Sequence, residues 1–197
     1  NTGIGNTAVG AYSADSNTSA AGITAIGNRA LCSNTTGANN TAMGMCAMRT
    51  STTGADNTAV GSNSLFTNTT GASNVAVGRE ALYSNTTGAN NTAVGKGSLP
   101  LNTTGASNVA MGFEALLANT TASGGVAIGC GALKANTTGA DNTAVGFEAG
   151  KAITTGASNV AVGYLSLQAQ TTGNSGTAIG YKALLLNTTA TDNTAVG

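Results

Sequence analysis

The stretch Asn85–Leu101, NTTGANNTAVGKGSLPL, decides the fold because close copies of it fill the whole chain. Seventeen residues earlier the chain has NTTGASNVAVGREALYS, and seventeen residues later it has NTTGASNVAMGFEALLA. The glycine that closes TAVG, here called the register glycine, recurs every 17 residues from Gly10 to Gly197 without insertion or deletion. A short fixed period is typical of a solenoid, in which each repeat is one structural unit stacked on the next.

The composition of the repeat selects the type of solenoid. Helical solenoid repeats are longer than 17 residues, and this unit is rich in Thr, Val, Asn and Gly rather than in helix formers. The sequence therefore predicts an all-β parallel β-solenoid with one 17-residue repeat per coil and two or three short strands in each coil. Residues 1–197 form a single continuous array of about twelve coils, and we expect it to be a window from a longer repeat protein.

Composition also argues against several classes of function. The 197 residues include no histidine and only 7% charged residues, and the formal net charge is zero. Without histidine no Ser-His or Cys-His pair can form, and the carboxylates never pair within one repeat, so we expect no enzyme and no cofactor. There is no basic face for nucleic acid and no apolar run long enough to span a bilayer. Asp56, Asp141 and Asp192 share one phase but occur in only three repeats, so we expect no metal site.

The residue before the register glycine is Val, Ile or Met in every repeat and is called the valine column. A ladder of branched or flexible apolar side chains is typical of a solenoid core, so the sequence predicts that this column is buried. Its members are Val9, Ile26, Met43, Val60, Val77, Val94, Met111, Ile128, Val145, Val162, Ile179 and Val196.

A second apolar ladder, the leucine column, stands four residues beyond the register glycine and is also predicted to be buried. Leucine holds this phase in eight of eleven repeats. These leucines are Leu31, Leu65, Leu82, Leu99, Leu116, Leu133, Leu167 and Leu184.

The residue before the valine column is Ala in all twelve repeats and is called the alanine column. Alternation along a strand puts it on the face opposite the valine column. Two interpretations stand: a close contact between chains, or tight packing inside a narrow coil. The members are Ala8, Ala25, Ala42, Ala59, Ala76, Ala93, Ala110, Ala127, Ala144, Ala161, Ala178 and Ala195.

One residue further back is Thr in eight repeats and Val in four, and this phase is called the threonine column. Asn or Asp usually precedes the Thr by two residues, whereas Ser or Gly precedes the Val, so we expect a local hydrogen bond between Thr and Asn or Asp. The NTTG segment is predicted to form a corner, in which the glycine can take a positive φ. Ala20, Ala122 and Ala190 replace that glycine, so the phase does not strictly require a positive φ.

NTT is formally an acceptor sequence for N-linked glycan, although the same residues could simply build the corner. The candidate asparagines are Asn34, Asn68, Asn85, Asn102, Asn119, Asn136 and Asn187, and the candidate threonines for O-linked sugar are Thr36, Thr70, Thr87 and Thr104. Cys32, Cys46 and Cys130 fall at three different phases and are interpreted as sporadic substitutions, with an interchain bond as the alternative.

The segments NTAVG, SNVAVG and GGVAIG resemble the Asn-x-Val-Ala-Ile-Gly core of the head repeats of trimeric autotransporter adhesins. They are also similar to the repeat shafts of tail-fibre-like surface proteins that end in a chaperone domain. The resemblance covers the whole chain and implies a left-handed parallel β-roll, three chains packed side by side, extracellular display and adhesion. Those heads typically use a shorter coil, to which this chain adds the NTTG corner.

Together these observations predict a non-enzymatic rod: an extracellular or cell-surface fibre or adhesin shaft for display, adhesion or matrix formation. The alternatives are a phage tail-fibre shaft and, from another class, an ice- or glycan-binding solenoid module. We expect self-association, as a side-by-side homotrimer or an end-to-end filament, and contact with host or surface glycans or matrix. We expect neither nucleic-acid binding nor membrane insertion of this segment.

Overall fold

A computed structural model describes residues 2–197 as an all-β solenoid of about eleven turns with a 17-residue repeat. Each turn contributes one three-residue strand to a single parallel sheet whose strand order follows the sequence. The strands are β1 Thr7–Val9, β2 Thr24–Ile26, β3 Thr41–Met43, β4 Thr58–Val60, β5 Val75–Val77, β6 Thr92–Val94, β7 Val109–Met111, β8 Val126–Ile128, β9 Thr143–Val145, β10 Val160–Val162, β11 Thr177–Ile179 and β12 Thr194–Val196.

The register of the sheet repeats the sequence period, so that each residue pairs with the residue 17 positions away, as Ala93 does with Ala110. At about 4.8 Å per coil the array is about 55 Å long. No helix is present among residues 2–197, and hence no helix there that could cross a membrane.

The structure has one strand per coil, so the prediction of two or three strands per coil is wrong. Residues with positive φ interrupt the extended backbone, since strands require negative φ. Around β6, Asn90 has φ 59°, Gly95 has φ 126° and Leu99 has φ 51°, which leaves only a short extended run between the first two. The turns still bond between coils, because the Leu99 N–H donates to the Ala115 carbonyl at 2.9 Å.

The core of each coil is narrow and admits one large side chain. The alanine column is fully buried in every inner coil from Ala25 to Ala178, with at most 1% exposure. Leucines of the leucine column from Leu31 to Leu167 are equally buried, and Leu184 packs against the core while partly exposed. The alanine column thus packs inside the coil, which is the second of the two interpretations.

The valine column lies on the outside, so the prediction that it is buried is wrong. Strand alternation allows only one of the two neighbouring columns to point inward. The interior of each coil already holds the side chain of the leucine column and the small residue, usually Ala or Ser, that precedes it. Only an alanine side chain fits opposite these two. Val60, Val77 and Val94 are therefore half-buried on the surface, and Met43 and Met111 are 41% exposed.

Two buried columns of asparagine complete the core. Ladder asparagines, which directly precede the strands, join successive coils: the Asn74 N–H donates to Asn57 Oδ1 at 2.9 Å. Corner asparagines, the first residue of NTTG, do the same through their side chains, since Asn85 Nδ2 donates to Asn68 Oδ1 at 2.9 Å. Buried amides are stable only when bonded, and these axial ladders satisfy most of them.

The corner glycines do not have a positive φ, as expected from the alanines that replace them in three coils. Gly88 does not have a positive φ, but a Cβ there would run into the Gly105 carbonyl of the next coil. The register glycines need both properties: Gly95 has φ 126°, and its Cβ would lie 2.7 Å from the Gly112 oxygen.

The expected hydrogen bond between Thr and the preceding Asn or Asp is also absent from the bonds of residues 2–197. The residue two positions before the threonine column has a positive φ in every coil, for example 57° at Asn39 and 58° at Ser73. Asn, Asp, Ser and Gly occur there because they tolerate this conformation. Asn39 Nδ2 instead donates to Asp56 Oδ1 of the next coil at 3.1 Å.

Candidate interaction surface

The outward side of the twelve strands, formed by the threonine and valine columns together, is called the outer face. Because the alanine column points inward, its two neighbours in each strand must point outward. In β6 these neighbours are Thr92 and Val94, both half-buried, on either side of the buried Ala93. The outer face therefore presents two parallel rows of Thr, Val, Ile and Met along the whole solenoid.

The outer face carries no charged residue, although the chain has seven basic and seven acidic residues. The charges lie at the turns, as for Asp56, Arg79 and Lys134. Ile128 is 38% exposed and Ile179 is 41% exposed within this uncharged strip. A long strip without charge is unusual on a monomer, so the outer face is a candidate interaction surface.

An aromatic row widens the apolar surface over the C-terminal half of the solenoid. Directly after the register glycine stand Phe113, Phe147, Tyr164 and Tyr181, which are 44–66% exposed. The rings of Phe147 and Tyr164 stack at 5.4 Å between centroids, and those of Tyr164 and Tyr181 also at 5.4 Å. Aromatic residues are enriched at the centres of protein interfaces, so this half is the better candidate for a contact.

Charged residues form ion pairs on another edge, between successive coils for Lys134 and within one coil for Lys151. Lys134 Nζ lies 2.7 Å from Glu114 Oε2, and Lys151 Nζ lies 2.8 Å from Glu148 Oε1. The hydrogen bond from Lys151 lowers the pKa of Glu148, and the hydrogen bond to Glu114 raises the pKa of Lys134. These pairs border an open groove floored by Ala135, Ala152 and Ala169.

The buried alanine column cannot contact another chain. Ala93 and its equivalents in the inner coils have no exposed surface beyond 1%. Any side-by-side contact made through the strands must therefore use the outer face. Residue size in the sequence could have shown which side of the strand faces inward. Only a side that faces a narrow core requires Ala in all twelve repeats, whereas the other side varies among Val, Ile and Met.

The corner asparagines are buried, which contradicts the hypothesis of N-linked glycan on them. Asn34, Asn68, Asn85, Asn102, Asn119 and Asn136 have 0% exposure. Their Nδ2 atoms, which a glycan would occupy, donate to the corner carbonyls, as Asn85 does to Gly88 at 2.9 Å. Asn187 is half-exposed but donates to Gln170 Oε1 at 2.8 Å.

The two threonines of each corner differ in what their hydroxyls do. Thr86 Oγ1 donates to the Thr103 carbonyl of the next coil at 3.0 Å and so extends an axial ladder. The second threonine is exposed at Thr36, Thr70, Thr87 and Thr104. O-linked sugar on this exposed row stays a prediction, which an intact mass above the sequence mass would support.

The three cysteines are free thiols: Cys32 and Cys46 are half-buried and Cys130 is exposed in the aromatic row. Across residues 2–197 no three His, Cys, Asp or Glu side chains cluster as a metal site would require. No family model, curated protein or solved structure matches this chain.

Proposed function

We propose that the chain is a structural segment of an extracellular or cell-surface fibre, a non-enzymatic rod that associates side by side through its outer face. The observation that carries this proposal is the uncharged apolar strip along the full length of the sheet. Stacked backbone and asparagine hydrogen bonds supply stiffness along the axis, while the outer face supplies lateral contact.

The dimensions of the outer face suit a specific interface. A three-residue strand is about 10 Å long and the array about 55 Å, so the face measures about 550 Å². Two such faces bury about 1,100 Å² in total, which clears the value of about 1,000 Å² expected of a biological contact. The aromatic row adds to this area over the C-terminal half.

A pair of charge variants tests the proposal. Val94→Lys with Val145→Lys places two charges on the outer face, where burial of an unpaired ammonium is costly. Thr87→Lys with Thr138→Lys adds the same charges to exposed corners of the same coils. Sedimentation equilibrium should give a multiple of 18.8 kDa for the unmodified chain and for the corner variant. The outer-face variant should sediment as a monomer with an unchanged circular dichroism spectrum.

The outcome that contradicts the proposal is a monomer for the unmodified chain at every concentration, or an outer-face variant that still associates. Either result would leave the solenoid without a lateral partner on this face.

Ice binding is a second candidate because the threonine column points outward at the strand spacing, as at Thr24, Thr41 and Thr58. A thermal hysteresis assay on the monomeric outer-face variant and on the unmodified chain distinguishes the two. Hysteresis that disappears when the outer face is charged would favour the ice-binding module, and its absence in both would exclude it.

A further inference from the structure

The residue directly after the register glycine borders the valine column along the outer face, and this phase is called the edge column. Its side chains differ between the two halves of the solenoid. In the second half the edge column carries the aromatic row, interrupted by Cys130. In the first half it carries no aromatic residue, and its members there are Ala11, Asn28, Met45, Ser62, Arg79 and Lys96.

This difference makes one half of the edge higher than the other. The rings of Phe147 and Tyr164 stack on each other, as do those of Tyr164 and Tyr181, so they form a continuous ridge with 44–66% exposure. Ala11, Asn28 and Ser62 are short in comparison. The contact surface is therefore raised beside the C-terminal strands and low beside the N-terminal ones.

The unequal height distinguishes the two ways in which a second copy can pack against the outer face. If both copies run in the same direction, the two ridges lie at the same end, and the faces are held apart there. If the copies run in opposite directions, the ridge of each copy lies beside the low half of the other. Only the opposite direction keeps the faces in contact along the whole length, as close packing at an interface requires.

The charges of the edge column fit the same arrangement. The column has two cations, Arg79 and Lys96, and no acidic residue. A two-fold axis between β6 and β7, where the change to aromatic residues occurs, places Lys96 of one copy opposite Phe113 of the other. A cation beside this ring is favourable, and the chain already has one, because Lys96 Nζ lies 5.8 Å from the centroid of its own Phe113 ring.

We propose that the lateral partner of the outer face is a second copy of this chain in antiparallel orientation, related by a two-fold axis between β6 and β7. This inference rests on the proposed lateral association and adds the identity and direction of the partner. The interface is isologous, so each pair of opposed residues occurs twice.

Distances between spin labels, measured by double electron–electron resonance, test the orientation. The three native cysteines are first replaced by residues found at the same phases in other coils, as Cys32→Gln, Cys46→Asn and Cys130→Ser. One label is then attached to a cysteine at an exposed corner, through Thr36→Cys, Thr104→Cys or Thr172→Cys in separate chains.

The antiparallel pair predicts the shortest intermolecular distance for the label at position 104, close to the axis. Two labels at position 36, or two at position 172, should lie about eight coils apart along the axis, which is about 38 Å. Mixing chains labelled at 36 with chains labelled at 172 should restore the short distance. Equal short distances at all three positions would show a parallel arrangement and overturn this inference alone. No intermolecular signal at any position would overturn the lateral association as well.

An exchange of residues across the interface is a second test. Ser62→Phe places a ring opposite Phe147 of the second copy, so it should raise the dissociation constant in sedimentation equilibrium. Adding Phe147→Ser to the same chain should restore association, because one ring again faces one serine. Adding Phe113→Ser instead is the matched control and should not restore it. Equal dissociation constants for the two double variants would contradict the antiparallel register.

Discussion

At the scale of single residues, positive φ decides which side chains the turns accept. Ser107 has φ 59° and is exposed, and no side-chain bond of Ser107 occurs among residues 2–197. Replacement by a β-branched residue should cost about 1–2 kcal/mol because its Cβ clashes in the left-handed region. We therefore expect Ser107→Val to lower the free energy of unfolding in urea. Ser107→Asn is the control and should be nearly neutral, since Asn90 has the same φ.

A break in the corner column gives a second prediction at this scale. Ser51 replaces a corner asparagine, and neither Ser51 Oγ nor Asn34 Oδ1 has a partner among residues 2–197. Ser51→Asn should stabilise the chain by about 1 kcal/mol, because its amide can donate to Asn34 Oδ1 as Asn85 does to Asn68. The reverse change, Asn85→Ser, should destabilise by about 1–3 kcal/mol. Equal urea midpoints for all three chains would contradict the ladder energetics.

At the scale of the element, the strands are defined by which of two apolar columns faces the core. In β6 the buried Ala93 leaves no space, so Ala93→Val should cost about 1–3 kcal/mol through overpacking. Val94→Ala, the opposite change one residue away, should cost less than about 1 kcal/mol when measured on the monomer. If chemical denaturation shows that Val94→Ala lowers the free energy of unfolding more than Ala93→Val does, the valine column would lie inside the coil.

The leucine column is the main apolar support of each coil. Leu99 is fully buried although its φ of 51° is unfavourable, so its packing must outweigh the backbone cost. Leu99→Ala should cost about 2–5 kcal/mol because the narrow core cannot collapse around the cavity. The chain itself shows one compensated exception, since Gly150 in this column is accompanied by a buried Ile153 at the corner phase.

The sequence was sufficient for the solenoid and its period, and for the leucine ladder, but not for the side of the sheet that faces inward. A fixed spacing of register glycines requires stacking whatever the side chains do. Alternation alone says only that Ala93 and Val94 face opposite ways, and hydrophobicity favours the valine. The structure reverses this choice because the interior of each coil already holds a leucine and the small residue before it, which leaves room only for Ala93. The candidates for N-linked glycan between Asn34 and Asn136 failed for a related reason: these asparagines are core residues.

At the scale of the whole molecule, the scarcity of titratable groups predicts stability that depends little on pH. The pKa of Glu148 is lowered in the folded chain. Its contribution to the free energy of unfolding is therefore present above the unfolded-state pKa of about 4.3 and is lost as pH falls through the folded-state pKa. The pKa of Lys134 is raised in the folded chain. Its contribution to the free energy of unfolding is therefore present below the unfolded-state pKa of about 10.4 and is lost as pH rises through the folded-state pKa.

Both groups are near the surface, where screening keeps such contributions small. With no histidine in the chain, the thermal midpoint should be nearly constant between about pH 5.5 and pH 8. A marked fall between pH 7 and pH 6 would contradict this expectation.

Lateral association through the outer face is the central claim, and small-angle X-ray scattering tests it most directly because one curve gives both mass and maximum dimension. We predict a mass of two or more times 18.8 kDa with a maximum dimension still near the 55 Å length of one solenoid, as side-by-side packing requires. A mass of 18.8 kDa, or a dimension that grows in proportion to mass, would contradict the account, since the outer face would then be free or the chains would join end to end.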